Sequence, residues 1–278
     1  MTGLPYDGRS RRPPTWNSEV SPQDFEAKLV ETIVLAAVEH MKRPFAIPAH
    51  YDQTQARLYH ATALKYFSFF AWRFPSWLLA IASRCPYQDV RREIIQDCVD
   101  EEVGDEDANG RCHVDVLYEE VEACGILRED VAATPPSPLI QACILALDDL
   151  ARTLPWEAAY AAIAGLEIMN SKPAVELRAK LMTPEQLAAA TEAMSTSLPE
   201  RLGVPGDDLL FAALHAYKDQ LHGGGALEVL TKYAADDRIQ HEMLWAARTA
   251  FETFALMVSE IDRIAIETVE GALQTTSR

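Results

Sequence analysis

Basic side chains are scarce in this sequence: 25 Lys and Arg stand against 42 Asp and Glu, a formal charge of −17. Such a surface repels nucleic-acid phosphates and anionic headgroups alike, so neither nucleic acid nor membrane is expected as a partner. Long uncharged apolar runs are missing, and no segment is predicted to span a bilayer. Arg9, Arg11 and Arg12 have no apolar core behind them, so the N-terminus does not read as a signal peptide and a cytoplasmic protein is expected. The five cysteines, Cys85, Cys98, Cys112, Cys124 and Cys143, contain no CxxC pair, which argues for free thiols and against a disulfide framework. Glycine is sparse, 12 of 278 residues, and strand-like alternation is missing over any useful length.

What remains is helical. Ala-, Leu- and Glu-rich runs in a chain that is 49% hydrophobic predict an all-α protein with one core. Residues 1–20 are expected to be loosely packed or disordered, and 21–272 to form a single-domain bundle of about seven core helices plus short ones. Ser21 followed by Pro22 marks the first helix start, and Asp52 caps a second helix expected over 53–73 and ended by Pro75. A short helix 76–84 follows, then 87–103, whose Val90, Ile94, Ile95, Cys98 and Val99 are expected to make one buried stripe. Helices are further expected at 111–124, 139–153, 156–170, 173–181, 184–195 and 206–222. Gly223-Gly224-Gly225 is expected to break the chain before a last long, bent helix over 226–270.

Three polar features stand out. His215, Asp219 and His222 are spaced i, i+4, i+7, which returns all three to one helix face. As a bare motif it equally fits a solvated polar stripe. Asp100-Glu101-Glu102-Val103-Gly104 ends a helix, and His113 opens the next beyond a turn, so Glu102 and His113 can aim at one spot; an acidic helix end with a solvated loop fits as well. Glu167 sits alone in an apolar helix, where an ionised carboxylate costs several kcal/mol unless paired with a metal or with an arginine such as Arg57 or Arg178. Three carboxylates and three imidazoles suit iron or manganese better than tetrahedral zinc.

The order of Glu, His about ten residues on, a mid-helix Glu and H-x3-D-x2-H resembles the heme-oxygenase-like di-metal oxidases, similar in fold to the thiaminase and pyrroloquinoline-quinone synthase bundles. Asp-Glu-Glu-Val-Gly is similar to that family's Asp-Glu-x-Gly signature, and the resemblance covers roughly 25–265. It implies Glu102, His113, Glu167, His215, Asp219 and His222 as ligands of two Fe(II) ions, with O2 as co-substrate. It also implies an external electron donor and a homodimer as options. The long gap between Glu167 and His215 departs from the pattern, and Asp237 with His241 forms a competing pair in the last helix.

Arg57, His60, Lys65, Tyr66 and Arg111 are candidates to bind a small substrate, an amino acid or another carboxylate, although His60 and the aromatics around it read as core at least as readily. Two rival readings share the bundle. A metal-free thiaminase-like or quinone-synthase-like enzyme would use a cavity-facing nucleophile, with Cys98 or Cys112 as candidates. A non-catalytic helical binding protein would have no use for a buried Glu167.

Overall fold

The computed structural model describes residues 13–40, 46–183 and 197–276. It consists of helices α1 (Pro22–His40), α2 (Gln53–Ala82), α3 (Gln88–Glu102), α4 (His113–Ala123), α5 (Arg128–Ala133), α6 (Pro138–Thr153), α7 (Trp156–Ile163), α8 (Gly165–Ile168), α9 (Lys172–Leu181), α10 (Leu198–Leu202), α11 (Leu210–Tyr233) and α12 (Asp237–Thr276). No strand occurs among the described residues. The expected helix 184–195 lies outside them, as do residues 1–12 of the N-terminal segment. Asn17 and Ser18 of that segment bond to Ala235 and Asp237, so this part is tied to the start of α12.

The main core is a shared apolar interior in which α12 packs on α1, α2, α6 and α7 around Phe25, Tyr59, Trp77, Tyr160, Phe251 and Ile261. A smaller cluster of Leu64, Val116, Leu117, Val121, Phe211 and Leu214 fills the space between α2, α4 and α11. Helices α3, α4, α8 and α11 meet beside these clusters, and the charged residues converge there.

Three sequence expectations are corrected. Pro75 does not end α2, which continues to Ala82. A proline inside a helix costs about 3 kcal/mol, and complete burial of Trp77, Leu78 and Ile81 beyond it outweighs that. The three glycines do not break α11. A Cβ on Gly223 would lie 2.6 Å from the Glu167 carbonyl oxygen, so the missing side chain lets α11 rest on the backbone of α8. The break falls instead at Ala234–Asp236, and the last helix starts at Asp237. The expected helix 156–170 is divided at Ala164, where Glu167 N–H bonds to Ala164 three residues back and the last turn tightens.

Leu209 at the start of α11 has no capping side chain. Glu120 of α4 supplies the cap from outside: its Oε2 accepts from Ala212 N–H at 3.3 Å, while Oε1 lies 2.7 Å from His60 Nε2 of α2. Glu120 and His60 are both buried, and their pair anchors the helix that carries His215, Asp219 and His222. Glu120→Ala leaves His60 without its buried partner and α11 uncapped, so urea unfolding should show a loss of about 3 kcal/mol. A loss below about 1 kcal/mol would mean the pair does not anchor α11.

Candidate metal centre

Two groups of ligand-type side chains lie at the meeting of α3, α4, α8 and α11. Glu101, His113 and His215 form one, with ligand atoms all within 4.8 Å of one another; Glu101, Glu167 and His222 form the other under the same limit. Glu101 belongs to both, so its carboxylate stands between the two positions. Asp219 is half-buried on the same face of α11 and accepts from Asn170 Nδ2 at 2.8 Å.

The chain builds this locally. His215, Asp219 and His222 lie on one face of α11 as their spacing requires. His215 Nδ1 donates to the Phe211 carbonyl at 3.0 Å, which leaves Nε2 as its available nitrogen. His113 Nδ1 lies 2.9 Å from Glu101 Oε1, its Nε2 lies 3.0 Å from Asp105 Oδ2, and its ring stands 4.8 Å from that of His215. His222 Nδ1 is 3.5 Å from Glu167 Oε1, and its Nε2 is 3.5 Å from Asp100 and 3.9 Å from Asp97.

The electrostatics are those of acids crowded away from water. Burial, then the neighbouring Glu167 charge, pushes Asp97 up to about 8, and burial raises Glu167 to about 7. Burial also raises Asp219. Burial alone would lower His222, but its contact with Glu167 and the surrounding acids lift it to about 10. Burial would raise Glu101 and Asp105; hydrogen bonds from His113 outweigh it and hold both below the ordinary carboxylate range. The Tyr160 hydroxyl, within the field of Asp97 and Glu167, is fully buried with no hydrogen-bond partner among the described residues. A crowd of buried oxygen and imidazole donors beside an unpaired hydroxyl fits a hard or borderline divalent cation.

Of the six residues expected to converge, five do: His113, Glu167, His215, Asp219 and His222. Glu102 is exposed, and Glu101 takes the place expected for it. The reason is helical phase. At about 100° per residue, Glu101 falls about 20° from Val90 and Ile94, while Glu102 falls about 80° or more away. The expected stripe also held Ile95 and Val99, with which Glu102 is in phase; Ile95 is exposed, and the face that α3 buries is Val90, Ile94, Asp97, Cys98 and Glu101. Asp105 and Lys218, unmarked by any spacing, also enter the site.

The competing pair lies apart, since Asp237 and His241 are exposed on α12. Arg111 is engaged at the surface by Glu119 and the Ala108 carbonyl, because the turn that carries it folds back on itself. His60 pairs with Glu120, and half-buried Arg57 lies near enough to Cys124 to offset a small part of the rise that burial and Glu120 give its thiol, which stands at about 12. Lys65 and Tyr66 are half-buried on α2 beside each other, outside both ligand groups. The Cys98 thiol is buried, donates to the Pro75 carbonyl and is pushed by burial up to about 12. Burial raises Cys112 as well. Neither is an activated nucleophile.

This architecture is the heme oxygenase-like fold. A domain of unknown function with that fold from Shewanella denitrificans OS217 superposes with a TM-score of 0.61 at 12% identity, covering 88% of this chain and 93% of its own. A TenA homolog from Pseudomonas syringae pv. tomato DC3000 gives 0.59 at 12% identity, covering 90% and 99%. No curated protein matches the chain by sequence. The chain belongs to the iron-containing redox enzyme family, whose profile matches residues 62–255, a span that includes every member of both ligand groups. Among the described residues, no helix is long and apolar enough to cross a membrane.

The raised groups set a pH dependence. Asp97 and Glu167 retain protons that the unfolded chain releases in the ordinary carboxylate range, and His222 retains one that an unfolded imidazole releases near 6.5. In each case the unfolded chain binds fewer protons as pH rises, so the metal-free fold loses stability through about 8 for Asp97 and about 10 for His222. A divalent ion held by Glu167 and His222 must displace their protons and binds more tightly as pH rises through that window. Calorimetry should show the metal-free Tm falling with pH and the gain in Tm on adding metal growing. A gain independent of pH would contradict this account.

Proposed function

We propose that this chain is a non-heme di-iron, O2-dependent oxidase, acting on a small amino acid or other carboxylate by desaturation, C–N ring closure, C–C cleavage or N-oxygenation. The observation that carries the reading is that two ligand groups share one carboxylate, Glu101. Glu101 with His113 and His215 would hold one iron, and Glu101 with Glu167 and His222 the other, with Asp219 completing the set. When bound, two Fe(II) ions supply electrons and open coordination positions for O2.

The chain's own residues do the rest. His215 is held in one tautomer by the Phe211 carbonyl, and Asn170 fixes one Asp219 oxygen. Asp97, raised to about 8 by burial and by Glu167, can keep a proton on its carboxyl beside the Glu167–His222 position. Buried Phe211 packs its ring 4.0 Å from that of His215 and gives this side of the site an apolar wall with Leu214.

A carboxylate-bearing substrate is supported by Arg57, a half-buried cation of α2 within electrostatic reach of Cys124 at the end of α4. Cys124, which it approaches, is eleven residues beyond His113, or about 16 Å along the helix line. An acid anchored there needs an extended chain to reach the iron position, so this residue supports the straight-chain acids and not a small amino acid. Oxygen consumption with the twenty amino acids and with straight-chain acids tests this, and indifference to all of them removes the substrate class. An electron donor and a second copy of the chain belong to the same proposal.

Likeness to a TenA homolog supports a second reading, a metal-free enzyme on the same bundle. The protonated states of Cys98 and Cys112 argue against it. Metal analysis after anaerobic Fe(II) loading separates the readings: about two irons per chain is expected, and none would support the rival. Glu101→Gln should lose at least one iron and cut O2 consumption by about 100-fold or more. Glu102→Gln should stay within about 2-fold of wild type, as a surface change does. Equal effects of the two substitutions would overturn the assignment of Glu101.

A further inference from the structure

The turn between α3 and α4 is built around Asp105, which is completely buried. Its main chain pairs with Arg111 in a short antiparallel bridge and accepts from Gly110 N–H at 2.7 Å. Gly104 makes the turn possible: its φ is +155° and a Cβ there would lie 2.4 Å from the Gly110 carbonyl oxygen. Within this frame Asp105 Oδ2 lies 3.0 Å from His113 Nε2, and Oδ1 accepts from Asp107 N–H at 2.8 Å.

A lysine completes the arrangement. Lys218 is buried on α11, one turn beyond His215 and one turn before His222. Its Nζ lies 2.9 Å from Asp105 Oδ1, 2.9 Å from Asp107 and 3.3 Å from Asp100. One ammonium thus ties α11 to the turn and to the end of α3.

We propose that Asp105 and Lys218 are a positioning pair for His113: Asp105 accepts the Nε2 proton and so fixes the tautomer that offers Nδ1 to the metal shared with Glu101 and His215. Lys218 holds Asp105 in that role and keeps its carboxylate from entering the metal position as a competing ligand. Both residues act through His113 and neither touches the reacting atoms. The inference rests on the metal site proposed above. A carboxylate behind a ligating imidazole raises its basicity and fixes its orientation, and removing one typically costs 10–100-fold in metal affinity.

Co(II) alone is the probe, titrated anaerobically into the full chain and followed by its visible d–d bands. Wild type should take up two ions. Asp105→Asn should weaken one of them by about 10–100-fold and alter its spectrum, leaving the other within about 3-fold. Lys218→Met should act in the same direction, and Lys218→Arg should restore affinity. Thermal unfolding of each metal-free variant reports whether it folds. Should Asp105→Asn fail to fold, nitrogen NMR of the Zn(II)-loaded wild type decides: Nε2 of His113 must carry the proton and Nδ1 the metal. The opposite tautomer overturns the proposal, as do variants that match wild type for both ions in affinity and spectrum. If wild type binds no Co(II) or Zn(II), the metal reading itself falls and takes this proposal with it.

Discussion

The whole arrangement turns on negative charge held out of water. Asp97, Glu101, Asp105 and Glu167 are buried within one neighbourhood, with Asp219 half-buried beside them. Each buried carboxylate costs several kcal/mol of lost hydration, and like charges at close range add to that. Proton uptake is the response of the metal-free chain: Asp97 and Glu167 move up, and His113 and His222 stay charged to offset their neighbours. Two divalent ions would do the same work with four charges in place of shared protons.

Holding such a group of acids in register demands a rigid α11, and the fold secures that helix at three levels. Glu120 caps its first turn from α4, Lys218 binds its middle to the turn after α3, and Gly223 seats it against the Glu167 backbone. Each contact comes from a different element, so α11 cannot shift along its axis without breaking a buried bond or creating a clash. Glu167 is fixed by the same contact, because the residue whose carbonyl receives Gly223 also carries the candidate ligand carboxylate.

Much of this could be read from the chain, and the misses have physical causes. His215, Asp219 and His222 were legible because helical spacing alone puts them on one face, and Glu167 because an isolated acid in an apolar helix needs a partner. Sequence alone does not separate Glu102 from Glu101, because adjacent acids differ by only one step of phase and an acid extends a buried stripe without looking apolar. Pro75 and the triple glycine were read as breaks because local propensity says so; long-range packing of Trp77 and the close approach to Glu167 decided otherwise. Asp105 and Lys218 carry no periodic signal, since one lies in a turn and the other meets its partners only after α3 and α11 come together.

The helical-scaffold reading has to explain why these acids are buried at all. Replacing a buried ionic cluster by apolar side chains of similar volume is often neutral or stabilising, and the bundle's core already supplies apolar burial on every side. A protein that only had to fold would gain by filling this space with leucine, and it would have no reason to leave the Tyr160 hydroxyl without a partner among the described residues next to Asp97 and Glu167. Stability surrendered at one place, within a structure that is otherwise locally consistent, is what a functional site requires. The same reasoning supports the proposal that the function centres on Glu101, the carboxylate common to both groups of imidazoles.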